Sequence, residues 1–255
     1  MISLGNCYIG YVNLKERIDR NEHMQNELAR IGLEAHRKNA YTPQFIKSVV
    51  QPSKIQKMLD TTPGACGCMY SQMDIITDGI TFGKSPIVLE DDVVFASDTI
   101  ERINLFFDWL NNNDPDFDVA WLGCTVHKEP RWHKLGHQQN LPCDCSLNKD
   151  WEPTNNINII RTYGIWSTFA YVVNIKSADK ILKMLHDIMP QSIGIDFSFI
   201  ALQPKLRTYA FCPGITKQFD NISNIGSGVT RFSGFASLGQ HWFQDSYVKG
   251  KNYME

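Results

Sequence analysis

Pro86-Ile87-Val88-Leu89-Glu90-Asp91-Asp92-Val93-Val94-Phe95 takes an apolar run straight into three consecutive carboxylates and out into a second apolar run. A short apolar run of this kind reads as a strand buried on both faces. Three acids at its end repel one another in a dry core unless something offsets them. A divalent cation is the simplest partner, because magnesium and manganese take oxygen ligands. Acids at the carboxyl end of a buried parallel strand also lie where open α/β sheets bind their ligands. The competing reading makes the acids solvated turn residues or a helix first turn. The next helix, however, is expected to begin only at Ser97 or Asp98.

Working outward, residues 7–13 read as a first buried strand. A helix follows, with Met24, Leu28 and Ile31 at helical spacing and Gly32 as its stop. Residues 33–40 form a second, more polar strand. Strand, helix, strand predicts a βαβ unit with parallel strands and a right-handed crossover. Residues 41–63 read as loop with a short helix at 55–59. The next helix carries an apolar stripe of Met69, Met73, Ile76 and Ile80 and ends at Gly83. Beyond the acidic run come a helix at 97–110, with Ile100, Ile103, Phe106, Phe107 and Leu110 inward, and a strand at 117–122. The pattern then dissolves over 123–161, a length that marks a lid or an acceptor-binding loop. Residues 168–174 form a strand. Ser177 caps a helix with Ile181, Leu185 and Ile188 on one face, and 207–212 is the last strand. Residues 223–255 make a Gly- and Ser-rich tail expected to lie over the site.

The bulk composition excludes several classes. The chain has 255 residues, 43% hydrophobic and 20% charged, as in an ordinary globular protein. A formal net charge of −2 gives no nucleic-acid footprint. No run approaches the ~18 apolar residues of a membrane span, and no signal peptide is evident. A cytoplasmic protein is expected, one that can lie peripheral to a membrane. The seven cysteines are expected to be reduced thiols. Cys7, Cys124 and Cys212 read as small buried hydrophobes. The pairs Cys66/Cys68 and Cys143/Cys145 are too tightly spaced for the usual structural zinc site.

Several blocks, in order, resemble glycosyltransferase family 25, the group of lipooligosaccharide and collagen galactosyltransferases. They are Val12-Asn13-Leu14-Lys15-Glu16-Arg17-Ile18-Asp19-Arg20, Gly64-Ala65-Cys66-Gly67-Cys68-Met69-Tyr70-Ser71 and Val88-Leu89-Glu90-Asp91-Asp92-Val93. Phe169 to Val173 with Ala178, then Ile195-Asp196, Pro213 to Gln218 and Ser223-Asn224-Ile225 follow. Two positions depart from the family pattern: Gln72 stands where His is usual, and Asn224 where Asp is usual.

The resemblance implies a single α/β domain over 1–255 of the GT-A type, with a mostly parallel central sheet flanked by helices. It implies an inverting, metal-dependent enzyme that moves a hexose, galactose or another, from a UDP-sugar. The acceptor would be a hydroxyl of a glycan, a lipid-linked glycan or a protein, and the cofactor Mn2+ or Mg2+. Asp92 is then the leading metal ligand, with Glu90 second, on metal or ribose, and His241 a candidate third. Strand alternation favours Glu90 with Asp92 and turns Asp91 towards structural partners, though Asp91 is still counted with the donor-binding set. That set also holds Val12, Asn13 and Leu14 against the nucleoside, Ala40 and Tyr41 at the same edge, and Ser71 and Gln218. Tyr41 would stack on uracil. Arg17 and Arg20 reach the base or phosphates, or else pair with Glu16 or Asp19. Asp196 is the candidate base for the acceptor proton; alternatively it caps a helix at 197–202. Because of Gln72 and Asn224, a non-catalytic nucleotide- or sugar-binding relative of the same fold is the alternative. A glycoside hydrolase ranks lower, since the three acids cluster instead of flanking a bond.

Overall fold

The computed structural model describes residues 1–51, 53, 55–125, 149–218, 222–223, 228–229 and 245. Its centre is an eight-stranded sheet. The first strand, β1 (Cys7–Asn13), lies between β2 (His36–Asn39) and β3 (Ser85–Glu90), parallel to both. Next to β3 comes β8 (Trp166–Val173), which runs antiparallel to β3 and to β5 (Val119–Thr125). β9 (Thr208–Phe211) pairs parallel with β5, and the edge is completed by β7 (Ile159–Thr162) and β6 (Trp151–Pro153). The α/β class is as the sequence implied. The sheet is mixed and not mostly parallel, because β8 enters between β3 and β5 in the opposite sense and β7 runs antiparallel to β9.

Period-two alternation divides the core in two. Tyr8 and Val12 of β1, Val88 of β3 and Tyr171 and Val173 of β8 face one cluster. Ile9, Tyr11, Ile87, Leu89, Ala170 and Val172 face the other. The first face is covered by α2 (Pro43–Val49), α3 (Gln56–Thr61), α4 (Pro63–Thr81), α6 (Ala178–Ile188) and α7 (Ile195–Leu202). The second is covered by α1 (Ile18–Ile31) and α5 (Thr99–Asn113). Gly32 ends α1 in the left-handed region, φ 70°, where a side chain would be strained. Among the described residues no helix is long and apolar enough to cross a membrane.

Several local expectations need correction. The acidic run does not continue one strand. β3 stops at Glu90, Asp91 and Asp92 form a turn, and β4 (Val93–Phe95) leaves the sheet to pair antiparallel with β10 (Thr216–Gln218). A short ribbon between β11 (Ile222–Ser223) and β12 (Gly228–Val229) follows. Within 41–63, α2 is a helix where the sequence reads as loop. Thr42 caps it by accepting a hydrogen bond from Phe45 N, with Pro43 in the first turn. The start of the irregular span 123–161 extends β5 and its end folds into β7 and the edge strand β6, while residues 126–148, with Cys143 and Cys145, lie outside the described residues. So does most of the 223–255 tail, Asn224 included. Ser177 makes no capping hydrogen bond; Asn174 caps the 3-10 turn before α6 by accepting from Lys176 N.

Candidate active site

The acidic turn is held from three sides. From β1, Asn13 Nδ2 donates to Asp91 Oδ2 at 2.7 Å, while Arg37 Nε donates to Asn13 Oδ1 at 3.0 Å. From α1, Arg20 Nη1 lies 2.6 Å from Asp91 Oδ1 and 3.3 Å from Asp92 Oδ2. From β10, Gln218 Nε2 donates to Glu90 Oε2 and to Asp92 Oδ1, each at 3.2 Å. α1 also fixes β4: Glu27 Oε2 accepts from Phe95 N at 3.0 Å, and Arg30 Nη2 donates to Phe95 O at 2.6 Å.

Glu90 and Asp92 do face a common point, as expected, but the cause is the turn and not strand alternation. Asp91 turns towards structural partners, Asn13 and Arg20. Of the two basic residues, Arg20 pairs with the acidic turn itself, whereas Arg17 forks onto Asp19.

On the α4 side, Gln72 Nε2 donates to Glu90 Oε1 at 2.9 Å, and Cys68 Sγ stands 3.8 Å from the same oxygen. Tyr171 Oη donates to Gln72 Oε1 at 3.0 Å. In the sequence Gln72 stands out only as a departure from a family pattern. The structure shows it touching the acidic motif.

These surroundings set the protonation of the acids. Burial holds Glu90 well above the usual carboxylate range, reinforced by the charges of Asp92, Asp196 and Asp91 and opposed by Arg20. Burial also raises Asp92, against the pull of Arg20. Asp196, on the first turn of α7, is raised to about 6, again by burial, with hydrogen bonds from Thr168 opposing. Thr168 Oγ1 lies 3.0 Å from Asp196 Oδ1. Asp196 is not the helix cap: Gly194 holds that position, and no side chain caps there. Next to Thr168, Ser167 has φ 84°, a left-handed conformation that is uncommon for a residue with a Cβ.

The remaining expected residues fall around this centre. Val12 is buried and pairs in register with Glu90. Leu14 O accepts from Arg17 N at 3.0 Å and closes the turn after β1. Ala40 N donates to Asn13 O at 2.9 Å. Tyr41 stacks on Phe45, ring centroids 5.0 Å apart, and its hydroxyl donates to Asp74. Ser71 is buried and spends its hydroxyl inside the protein, accepting from Tyr41 N and donating to Gly67 O. It therefore positions Tyr41. His241 lies outside the described residues.

Among the described residues no group of three His, Cys, Asp or Glu side chains is arranged to hold a metal ion. Yet the pair Glu90 and Asp92 suits one. One oxygen of each accepts from the same NH2 group of Gln218, so these two carboxylates are the residues that would hold a divalent ion and supply its oxygen ligands.

A family model described as "Glycosyltransferase family 25 (LPS biosynthesis protein)" matches residues 7–199. No curated protein matches the chain. Among solved structures, mouse xyloside xylosyltransferase 1 in its apo form is similar at 12% identity and a TM-score of 0.41, over 79% of this chain and 70% of that one. Mannose-1-phosphate geranyltransferase from Thermus thermophilus is similar at 10% identity and a TM-score of 0.39, over 81% of this chain and 73% of that one.

Proposed function

The chain belongs to glycosyltransferase family 25, and on that premise we propose that it moves a hexose from a UDP-sugar to a hydroxyl of a glycan, lipid-linked glycan or protein, with inversion and with Mn2+ or Mg2+ bound. The observation that carries this reading is the pair Glu90 and Asp92, both aimed at one point at the carboxyl end of β3 and both raised by burial. Carboxylates kept in so dry a place are unfavourable unless positive charge is brought to them. A divalent ion bound there would supply charge stabilisation for the departing diphosphate.

The protein's own groups do the rest. Asn13 and Arg20 fix the acidic turn, so the two carboxylates need not reorganise when the donor arrives. Val12, Asn13, Leu14 and Ala40 offer the ends of β1 and β2 to the nucleoside, as in a GT-A type fold. Asp196, held by Thr168 and with a carboxyl titrating at about 6, is poised to take the proton of the acceptor hydroxyl near neutral pH.

Incubation with UDP-galactose, UDP-glucose or UDP-N-acetylglucosamine and Mn2+, with an acceptor hydroxyl present, tests the proposal. Metal-dependent release of UDP from one of them is the expected result. Metal-dependent binding without release would instead make the chain a non-catalytic member of its family, and no binding at all would remove the donor site.

A further inference from the structure

Gln72 occupies a position with no freedom. It is fully buried on α4, and each end of its amide is engaged. Its oxygen accepts from Tyr171 Oη at 3.0 Å, and its nitrogen donates to Glu90 Oε1 at 2.9 Å, with Cys68 Sγ at 3.4 Å. The amide is turned so that its NH2 end meets Glu90 Oε1 and its oxygen meets the Tyr171 hydroxyl, which satisfies both of its ends. Tyr171 is itself immobilised. Its ring is fully buried and packs against Trp121 and Phe199, at centroid distances of 5.4 and 5.3 Å. β8 carries Tyr171 in register with Val88, two residues before Glu90.

We propose that Gln72 is a positioning residue for Glu90: the Tyr171 hydroxyl aims the Gln72 amide, and the amide fixes one oxygen of Glu90 so that the other faces Asp92. The proposal rests on the reading of Glu90 and Asp92 as the metal-bearing donor site. The two oxygens of Glu90 then have separate duties. Oε1 is tied to the helix side through Gln72, and Oε2 is left on the side of Asp92 and Gln218. Without the amide, Glu90 is free to swing away from the repelling charges of Asp92 and Asp196. An imidazole at position 72 would still present an N–H to Glu90, so a histidine there serves the same purpose.

The test is UDP affinity by calorimetry, with and without Mn2+, on the full chain. Gln72→Met keeps the length and apolar volume while removing the amide's hydrogen bonds to Tyr171, Glu90 and Cys68, and should weaken Mn2+-dependent UDP binding about ten-fold while leaving metal-free UDP binding unchanged. Tyr171→Phe removes one hydroxyl from a packed ring and should move the same quantity in the same direction by a smaller factor. Gln72→His should restore most of the loss. A merely structural role would lower both affinities together with the melting temperature. Unchanged Mn2+-dependent binding in folded Gln72→Met and Tyr171→Phe overturns the positioning role alone. A wild-type chain whose UDP binding ignores Mn2+ overturns the metal reading itself, and this role with it.

Discussion

Arg20 Nη1 stands 2.6 Å from Asp91 Oδ1 and 3.3 Å from Asp92 Oδ2, so one guanidinium from α1 serves two adjacent buried acids. Removing it leaves carboxylates without their cation in a place that water scarcely reaches. Arg20→Ala should destabilise the fold by about 3 kcal/mol, read by urea denaturation. Arg20→Lys should recover only part, because an ammonium is a single point and not a planar fork.

Glu90 and Asp92 are expected to show opposite effects on stability and binding. Both are raised by burial, so their charged forms oppose folding. Asp92→Asn should therefore raise the melting temperature at neutral pH and lose that advantage in acid, where the wild-type carboxyl is already protonated. The same substitution should weaken metal-dependent UDP binding by roughly a hundred-fold or more. A variant that melts lower at neutral pH and binds normally would contradict both halves.

Asp196→Asn should leave UDP binding intact and slow transfer by roughly a hundred-fold or more. Wild-type turnover should fall off on the acid side with an apparent pKa near 6, as the base becomes protonated. The stability sign follows from linkage. The folded carboxyl titrates at about 6 against an ordinary 3.8, so between these values the folded state holds more proton than the unfolded one. Stability from this group is present below 3.8 and lost as pH rises through 6. Its removal should make the Asn variant more stable above pH 6 by about 3 kcal/mol. Thermal melts across pH 4–8 would read this.

Gly67 on α4 lies against the chain after β2. A Cβ there would stand 2.1 Å from Tyr41 O, a backbone atom with no easy retreat. Gly67→Ala should cost about 1–3 kcal/mol by overpacking and displace Tyr41 and Ser71. Gly5, with nothing within 4 Å of the same construction, is the control: Gly5→Ala should stay within about 0.5 kcal/mol. Melting curves of the two variants give the comparison.

The α/β class, and a helix ending at Gly32, were legible in the sequence because alternation and helical spacing are local signals. The insertion of β8 was not. Pairing sense leaves no mark on the residues themselves: a buried run such as Phe169 to Val173 looks alike whether its neighbours are parallel or antiparallel. Thr42-Pro43 did signal a helix start, and the prolines of 41–63 masked it. In the site, carboxylates were readable from their own identity. Asn13 and Gln218 were named with the donor-binding set, but their contacts with the acids were not, nor was that of Gln72, since nothing local in the sequence announces a contact such as that of Gln218 with Glu90 across 128 residues.

The bond from Gln218 to Glu90 closes a loop of 128 residues, and β10 reaches β4 across a similar span. Contacts this far apart in sequence add loop-closure entropy and slow folding. During synthesis, the acids emerge long before the strand that completes their enclosure. A fragment ending ahead of Thr216 therefore inherits the negative charge without the strand that closes over it.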